Sequence, residues 1–335
     1  MSRSERSEDD IAAAAAVSLE EIPIIDFAPF LAGDKMARKA VADEIAFACE
    51  NIGFFYLTGH GVPEQVVDAI FAAAADFFAR PMHERAEAFA TPEWYRGYIP
   101  MPDHQPLSRN TRMFEQYRLQ HEWPADPEDM EHARIFDQVN RWPAGMDHFH
   151  LAGEAYLEAM LGLGRELLRA FALGLGLEDT RFDGWFRHPP SQLSVNYYPV
   201  LPDTADTEVS NMISHTDEGP FTILAQREIG GLEVKRRDGA WIQAPPLRGA
   251  FTINVGDMMM WWSNGRYLSN YHRVRNRTDV ERFSVPYFAN PDRNVTVAPL
   301  PELSGDTPRY APVRVADHLA RFYSQLSKNP HEVYT

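Results

Sequence analysis

In SHTDEGPFTILAQ, residues 214–226, a histidine and a carboxylate stand two residues apart just ahead of an apolar run. On a β-strand, residues i and i+2 point the same way, so His215 and Asp217 can bring an imidazole and a carboxylate onto one ion. A helix would splay them apart. H-x-D alone is a weak signal, and a metal needs a third donor. YLSNYHRVRN, residues 267–276, offers His272 in a strand-like run. Two imidazoles and one carboxylate on one side of an ion leave about three octahedral positions open, an arrangement suited to non-haem Fe(II) and O2 chemistry. Zinc more often takes a closed site or keeps one open position. A zinc hydrolase would also need a general base beside the metal, and Glu218 is the nearby candidate.

A second constellation follows in RFSVPYF, residues 282–288. Arg282 and Ser284 share one strand face, and a guanidinium beside a hydroxyl receives a carboxylate. The neighbours Phe283, Val285, Tyr287 and Phe288 are apolar, so this strand reads as buried, and a buried arginine needs an anion. In SQLSVNYYP, Leu193, Val195 and Tyr197 share one face, while Gln192, Ser194, Asn196 and Tyr198 share the other. Beside a metal and an arginine, that polar face lines a cavity. By contrast, His148 and His150 open a helical segment, DHFHLAGEAY, and do not face each other.

Two kinds of element must position these residues. The first half reads mainly as helix. In PEQVVDAIFAAAADFF, Val66, Val67, Ile70, Phe71, Ala74, Phe77 and Phe78 fall on one face. Tyr156, Met160, Leu163, Leu167 and Phe171 form one apolar stripe on a second long helix, which Gly174 and Gly176 end. Residues 92–143 carry little periodicity and read as a long, functional connection. The second half changes period. Short runs rich in β-branched and aromatic residues alternate with turn signals such as Asp238-Gly239 and Asn264-Gly265, which predicts a sandwich or barrel. The tail around VADHLARFYSQL returns to helix.

Of 335 residues, 44% are apolar and 24% charged, a globular composition. The net charge of −16 disfavours nucleic acid or an anionic membrane as a partner. No apolar run approaches the length of a membrane span. The single cysteine, Cys49, reads as a small buried hydrophobe in a reducing cytoplasm. Residues 1–20 read as a loose N-terminal arm. Nothing in the sequence sets an oligomeric state.

The chain resembles the Fe(II)- and 2-oxoglutarate-dependent dioxygenases of the isopenicillin N synthase-like group. The resemblance runs in order through IPIIDF (22–27), GFFYLTGHGVP (53–63), NYYP (196–199), HTD (215–217), GLEV (231–234), NVGDMM (254–259), WSNGRYLSNYHRV (262–274) and RFSVPYF (282–288). It implies a mainly β fold with flanking helices, built on a double-stranded β-helix or jelly roll. It also implies one oxygenase domain over 21–335: a helix-rich region to about 185, a jelly-roll core over about 186–300, and a C-terminal helix over about 312–328. By the same resemblance His215, Asp217 and His272 match the iron ligands. Arg282 and Ser284 match the pair that holds the far carboxylate of 2-oxoglutarate, and Asn196 and Tyr198 match positions near that co-substrate. Fe(II), 2-oxoglutarate and O2 are then required, with ascorbate as an added reductant. The expected reaction is hydroxylation, desaturation or ring closure of a small organic substrate.

In such a fold the substrate walls come from the loop at 92–120, the strand end at Phe288 and the C-terminal helix near Phe322. Tyr95, Arg96, Tyr98, Arg112 and Phe114 are the candidates from the loop, and Arg96 and Arg112 point to an anionic or carboxylated substrate. RNTRMFEQYRLQ, residues 109–120, matches the family's pocket-shaping segment only loosely, and Asn270-Tyr271 departs from the small residues or proline that often precede the second histidine in plant relatives. Two alternatives remain at this point: an oxidase of the same fold, in which Arg282 and Ser284 grip the substrate's own carboxylate, and a non-catalytic jelly-roll binder.

Overall fold

Polar and apolar residues alternate along Gln192–Tyr198, and that alternation sets the two faces of a large sheet. The computed structural model describes residues 21–91, 93–101, 113–125, 131–200, 212–275 and 280–328. Its first six main strands are β1 (Ile24–Asp26), β2 (Phe54–Thr58), β3 (Gly97–Ile99), β4 (Glu115–Gln120), β5 (Gln192–Tyr198) and β6 (Met212–His215). The next six are β7 (Phe221–Gln226), β8 (Leu232–Lys235), β9 (Trp241–Gln243), β10 (Phe251–Val255), β11 (His272–Val274) and β12 (Arg282–Phe288). Eight of them form one sheet in the order β1-β2-β10-β7-β12-β5-β4-β3, and four form a second in the order β6-β11-β8-β9. Only β1 and β2 pair in parallel; every other pair in these two sheets is antiparallel.

Three helices cover the outer face of the large sheet: α1 (Lys35–Asn51), α2 (Glu64–Ala79) and α3 (Asp147–Gly174). The stripe Tyr156, Met160, Leu163, Leu167 and Phe171 of α3 is buried with Leu193, Val195, Ile223, Ile253 and Val285 of the sheet in one apolar cluster. Each such side chain withdrawn from water stabilises the fold by about 1.5–3 kcal/mol. The outward β5 residues are thus the apolar set, and Gln192, Ser194, Asn196 and Tyr198 face inward. Gly174 closes α3 where a Cβ would stand 2.7 Å from the Ala42 carbonyl oxygen, and Gly176 follows in the left-handed region at φ +81°. A shorter helix, α4 (Asp257–Trp262), follows β10, and α5 (Val315–Lys328) forms the C-terminal helix.

Two expectations need correction. Residues 92–143 are not one long connection, because β3, β4 and a turn of helix at Ala133–Phe136 lie within them. Strand β4 is masked in the sequence by its own inward face. Gln116, Arg118 and Gln120 alternate with Tyr117 and Leu119, and all five are buried, so its polar residues point indoors. Among its described residues, YLSNYHRVRN is strand only at His272–Val274. Its first half is a loop pinned by side chains: the Tyr267 hydroxyl donates to the Phe171 carbonyl at 3.4 Å, and Asn270 donates to two backbone carbonyls. His148 and His150 sit on α3 as expected, paired with Asp76 and Glu154 at 2.9 Å. Cys49 is fully buried. No helix of the described residues is long and apolar enough to cross a membrane.

Candidate metal centre and co-substrate pocket

His215 ends β6 and His272 begins β11, and the two are direct cross-strand partners. Asp217 follows two residues after His215, in the turn towards β7. Its Oδ1 stands 3.7 Å from Nε2 of each histidine. One potential ligand atom from each of the three lies within 4.8 Å of the others. Donors about 2.1 Å from an ion stand roughly 3 Å apart when adjacent, so a small inward rotation closes the set on a metal.

The surrounding bonds aim these donors. His215 Nδ1 lies 2.9 Å from the Ile213 carbonyl, and His272 Nδ1 lies 3.3 Å from the Asn270 carbonyl. A carbonyl only accepts, so each Nδ1 carries the proton and each Nε2 keeps its lone pair for a metal. Asp217 Oδ2 accepts from Asn254 Nδ2 at 2.7 Å and from the Thr222 hydroxyl. That leaves Oδ1 turned to the imidazoles. Burial and the neighbouring His272 lower the pKa of His215 to about 4, so its ring is neutral. Burial would raise the Asp217 pKa, but the two imidazoles and the Thr222 and Asn254 bonds outweigh it and hold the carboxyl below its ordinary range. Two imidazoles and an ionised carboxylate are a donor set that suits a divalent cation.

Arg282 opens β12 and is 1% exposed. Its Nη2 donates to Gln226 Oε1 at 3.0 Å, and its guanidinium lies 4.6 Å from the centre of the Tyr198 ring. Its Nε and Nη1 are buried without a partner. An arginine this deep with two idle donors fits a carboxylate that the protein does not itself supply. Ser284 faces Asn196 across the β12–β5 ladder, with Asn196 Nδ2 donating to Ser284 Oγ at 3.5 Å. Arg282, Ser284, Asn196 and Tyr198 are therefore gathered on one inward face. Phe114 is not among the residues lining the adjacent cavity; its ring stacks on Tyr198 at 5.2 Å and backs this group.

A cavity of about 290 Å3 adjoins the centre. Tyr95, Phe288 and Phe322 line it with His215 and Asp217. Two expected wall residues lie elsewhere. Arg96 faces a separate cavity of about 690 Å3 beside His121 and Arg293, with Nη2 donating to the Phe136 carbonyl at 3.0 Å. The Tyr98 hydroxyl donates to Glu115, and its ring packs on Phe77 and Phe89, away from the cavity. Neighbouring residues of an extended segment alternate sides, so Tyr95 faces the cavity and Arg96 does not. Arg112 lies outside the described residues. Glu218, the candidate base, is paired with His318 of α5.

Several polar residues of the site escape a reading of the sequence: Thr222, Gln226 and Asn254 support it, and Gln116 and Arg118 line the cavity. Their signal is polar residues at even spacing on one face of strands whose other face is mostly apolar: Thr222 and Gln226 in FTILAQ, Thr252 and Asn254 in FTINV, Gln116 and Arg118 in EQYRLQ.

Comparison with known proteins agrees with this geometry. Residues 22–145 match the family described as non-haem dioxygenase in morphine synthesis N-terminal, and residues 189–291 match the 2OG-Fe(II) oxygenase superfamily. The 2-oxoglutarate-Fe(II) type oxidoreductase ppzC of Metarhizium rileyi is 37% identical over 290 residues, covering 80% of this chain and 77% of the relative. The 2-oxoglutarate-Fe(II) type oxidoreductase hxnY of Emericella nidulans is 33% identical over 313 residues, covering 90% of this chain and 89% of the relative. Among solved structures, a full-length Neurospora crassa protein in complex with alpha-KG and thymine superposes with a TM-score of 0.79 at 26% identity, covering 90% of this chain and 96% of that one. With both halves matched in order and the fold shared almost end to end, the protein belongs to the 2-oxoglutarate- and Fe(II)-dependent oxygenases, enzymes with a double-stranded β-helix core that couple 2-oxoglutarate to oxidation of a small substrate.

Proposed function

We propose that His215, Asp217 and His272 hold the ferrous ion, and that Arg282 and Ser284 bind the far carboxylate of 2-oxoglutarate beside Asn196 and Tyr198. The observation that carries this reading is the placement of Asp217 Oδ1 between two Nε2 atoms whose rings are locked by their own backbone. When bound, iron and 2-oxoglutarate supply O2 activation, with release of CO2 and succinate and oxidation of the substrate. The chain's own work is positioning. Arg282 offers Nε and Nη1 to the co-substrate, and Gln226 and the Tyr198 ring keep the guanidinium from turning away. Tyr95, Phe288 and Phe322 hold the substrate against the centre and exclude water.

The same-fold oxidase that dispenses with 2-oxoglutarate is not favoured, since the relatives are named for that co-substrate. Residues 21–335 act as one oxygenase domain in this reading, because helices α1 to α3 and the sheet share one core. Cytoplasmic residence belongs to it as well: ferrous iron and the free thiol of Cys49 both stay reduced there. Ascorbate serves only to keep the metal ferrous, and the acidic surface has no nucleic-acid partner.

The test is anaerobic titration of Fe(II)-loaded protein with 2-oxoglutarate. A weak visible metal-to-ligand absorption band is expected in the wild type and should be lost in His272→Ala. No band in the wild type under saturating 2-oxoglutarate would remove the assignment of these residues.

A further inference from the structure

The cavity beside the metal centre contains a cation that the co-substrate does not explain. Arg118 lies on β4 opposite Ser194 of β5, on the inward face of the large sheet. It is 6% exposed and lines the cavity with His215 and Asp217. Its Nε donates to Gln116 Oε1 at 2.7 Å, and its guanidinium carbon lies 4.2 Å from the centre of the Tyr95 ring. Among the described residues no carboxylate pairs with it. The acids lining the same cavity are engaged: Asp217 with the two imidazoles, Glu218 with His318. Arg118 is also the cavity's only lysine or arginine among the described residues. A buried cation with no counter-ion is costly, and the fold retains it beside the reacting centre.

We propose that the substrate is a small organic acid whose carboxylate is received by Arg118; this rests on the metal-centre reading above. With Nε committed to Gln116, the two Nη groups form an end-on fork that matches the two oxygens of a carboxylate. Stacking on Tyr95 and the Gln116 bond fix the plane of that fork before anything binds. Phe288, Leu319, Phe322 and Tyr323 form an apolar, aromatic stretch of wall, while Gln192, Ser214, Thr216 and Asn290 add polar groups elsewhere in the lining. The acid therefore lies with its charged end at β4 and its apolar body across these rings, next to His215 and Asp217. Arg118 and Arg282 divide the work. Arg282, the arginine with the Gln226 clamp, takes the co-substrate, and Arg118 takes the substrate. A chain of side-chain bonds joins the two subsites. Arg118 donates to Gln116, Gln116 Nε2 to Asn196 Oδ1 at 3.0 Å, and Asn196 to Ser284.

The experiment titrates benzoate, phenylacetate and 3-phenylpropanoate against their neutral amides. It uses protein loaded with Mn(II) and 2-oxoglutarate and, separately, metal-free protein, with binding followed by calorimetry. At least one acid is expected to bind the wild type about tenfold or more tightly than its amide. Arg118→Gln should erase that preference, Arg118→Lys should keep part of it, and both should bind 2-oxoglutarate as the wild type does. Acids that bind no better than their amides would overturn the proposal. So would an Arg118→Gln variant that loses 2-oxoglutarate as strongly as the acids, since Arg118 would then belong to the co-substrate anchor. Failure of wild-type Mn(II) protein to bind 2-oxoglutarate, with an Arg118-dependent preference for acids intact in the metal-free protein, would sink the metal-centre reading and leave the acid subsite standing.

Discussion

His215 and His272 face each other across the antiparallel β6–β11 pair, and each turns Nδ1 to the carbonyl two residues earlier in the chain. One local arrangement is thus used twice. The ladder sets the spacing of the two rings, whose centres are 4.3 Å apart, and the carbonyls set which nitrogen looks inward. Asp217 comes from the turn beyond β6 and completes the set from the side of the large sheet, through Thr222 of β7 and Asn254 of β10. The centre therefore sits between the two sheets.

Asn270 is the residue that makes His272 reliable. Its amide donates to Ile52 O at 2.9 Å and Lys235 O at 2.8 Å, and its own carbonyl accepts from the His272 ring. Asn270→Ala should leave two carbonyls unsatisfied and cost about 1–3 kcal/mol of stability. It should also weaken Fe(II) binding by about 10–100-fold, the usual effect of losing a group that orients a metal-bound histidine. Equilibrium unfolding and metal titration read the two effects separately. Wild-type metal affinity in this variant would mean that the ring is held by other means.

Arg282→Ala should raise the dissociation constant for 2-oxoglutarate by about 100-fold or more while Fe(II) remains bound. Gln226→Leu should give a smaller loss, because it frees the guanidinium without removing it. Arg282→Lys should fall between wild type and alanine, since an ammonium lacks the fork. Anaerobic titration followed by absorbance measures all three. Unchanged 2-oxoglutarate affinity in Arg282→Ala would move the co-substrate elsewhere in the pocket.

The convergence of these side chains is legible because strands impose a two-residue period on any pair that must meet. His215 with Asp217, and Arg282 with Ser284, carry that spacing in the bare sequence. The faces of β5 follow from the same rule. Strand β4 is not legible, because a strand whose polar side faces a cavity looks like a solvated loop until its neighbours are known. For that reason the sequence points to Arg96, which faces the separate cavity, and passes over Arg118, which lines the cavity beside His215 and Asp217. Choosing Tyr95 over Tyr98 requires knowing which side of an extended segment meets the core, and no local pattern records that. The role of Asn270 depends on Ile52 and Lys235, far away in the chain, and only the assembled fold reveals it.

Two histidines away from the metal centre should make the protein acid-sensitive. Burial lowers the pKa of both His60 and His121. His60 Nδ1 accepts from the Val62 N–H at 3.2 Å, a bond available only to the neutral ring, and His121 Nε2 is buried without a partner. Both folded-state values lie below the ordinary value of about 6.5, so on acidification through that value the unfolded chain takes up protons before the folded one. Stability is therefore full above it and is lost as pH falls. The melting temperature should drop by a few degrees between pH 7.5 and 6.0, and a His60→Gln/His121→Gln double variant should flatten the slope. Equal slopes in the two proteins would assign the acid sensitivity to other groups.

Gly256 marks where two backbones meet behind Asp217. The first N–H groups of the segment entering α4 collect three carbonyls from the Asp217 turn: Gly256 N to Pro220 O at 2.9 Å, Asp257 N to Asp217 O at 2.8 Å, and Met258 N to Gly219 O at 3.2 Å. A Cβ on Gly256 would stand 2.2 Å from the Gly219 oxygen and 2.7 Å from the Asp217 oxygen. Neither oxygen belongs to a side chain that could swing aside, so Gly256→Ala must push the turn and carry Asp217 with it. We expect a loss of about 1–3 kcal/mol of stability together with weaker metal binding. Gly162→Ala is the control: it sits in α3 with open space around its missing Cβ, and should stabilise the helix by about 0.5–1 kcal/mol with metal affinity unchanged. A Gly256→Ala protein that melts with the wild type would show that the two backbones do not approach this closely, and the clamp on Asp217 would have to be sought in Thr222 and Asn254 alone.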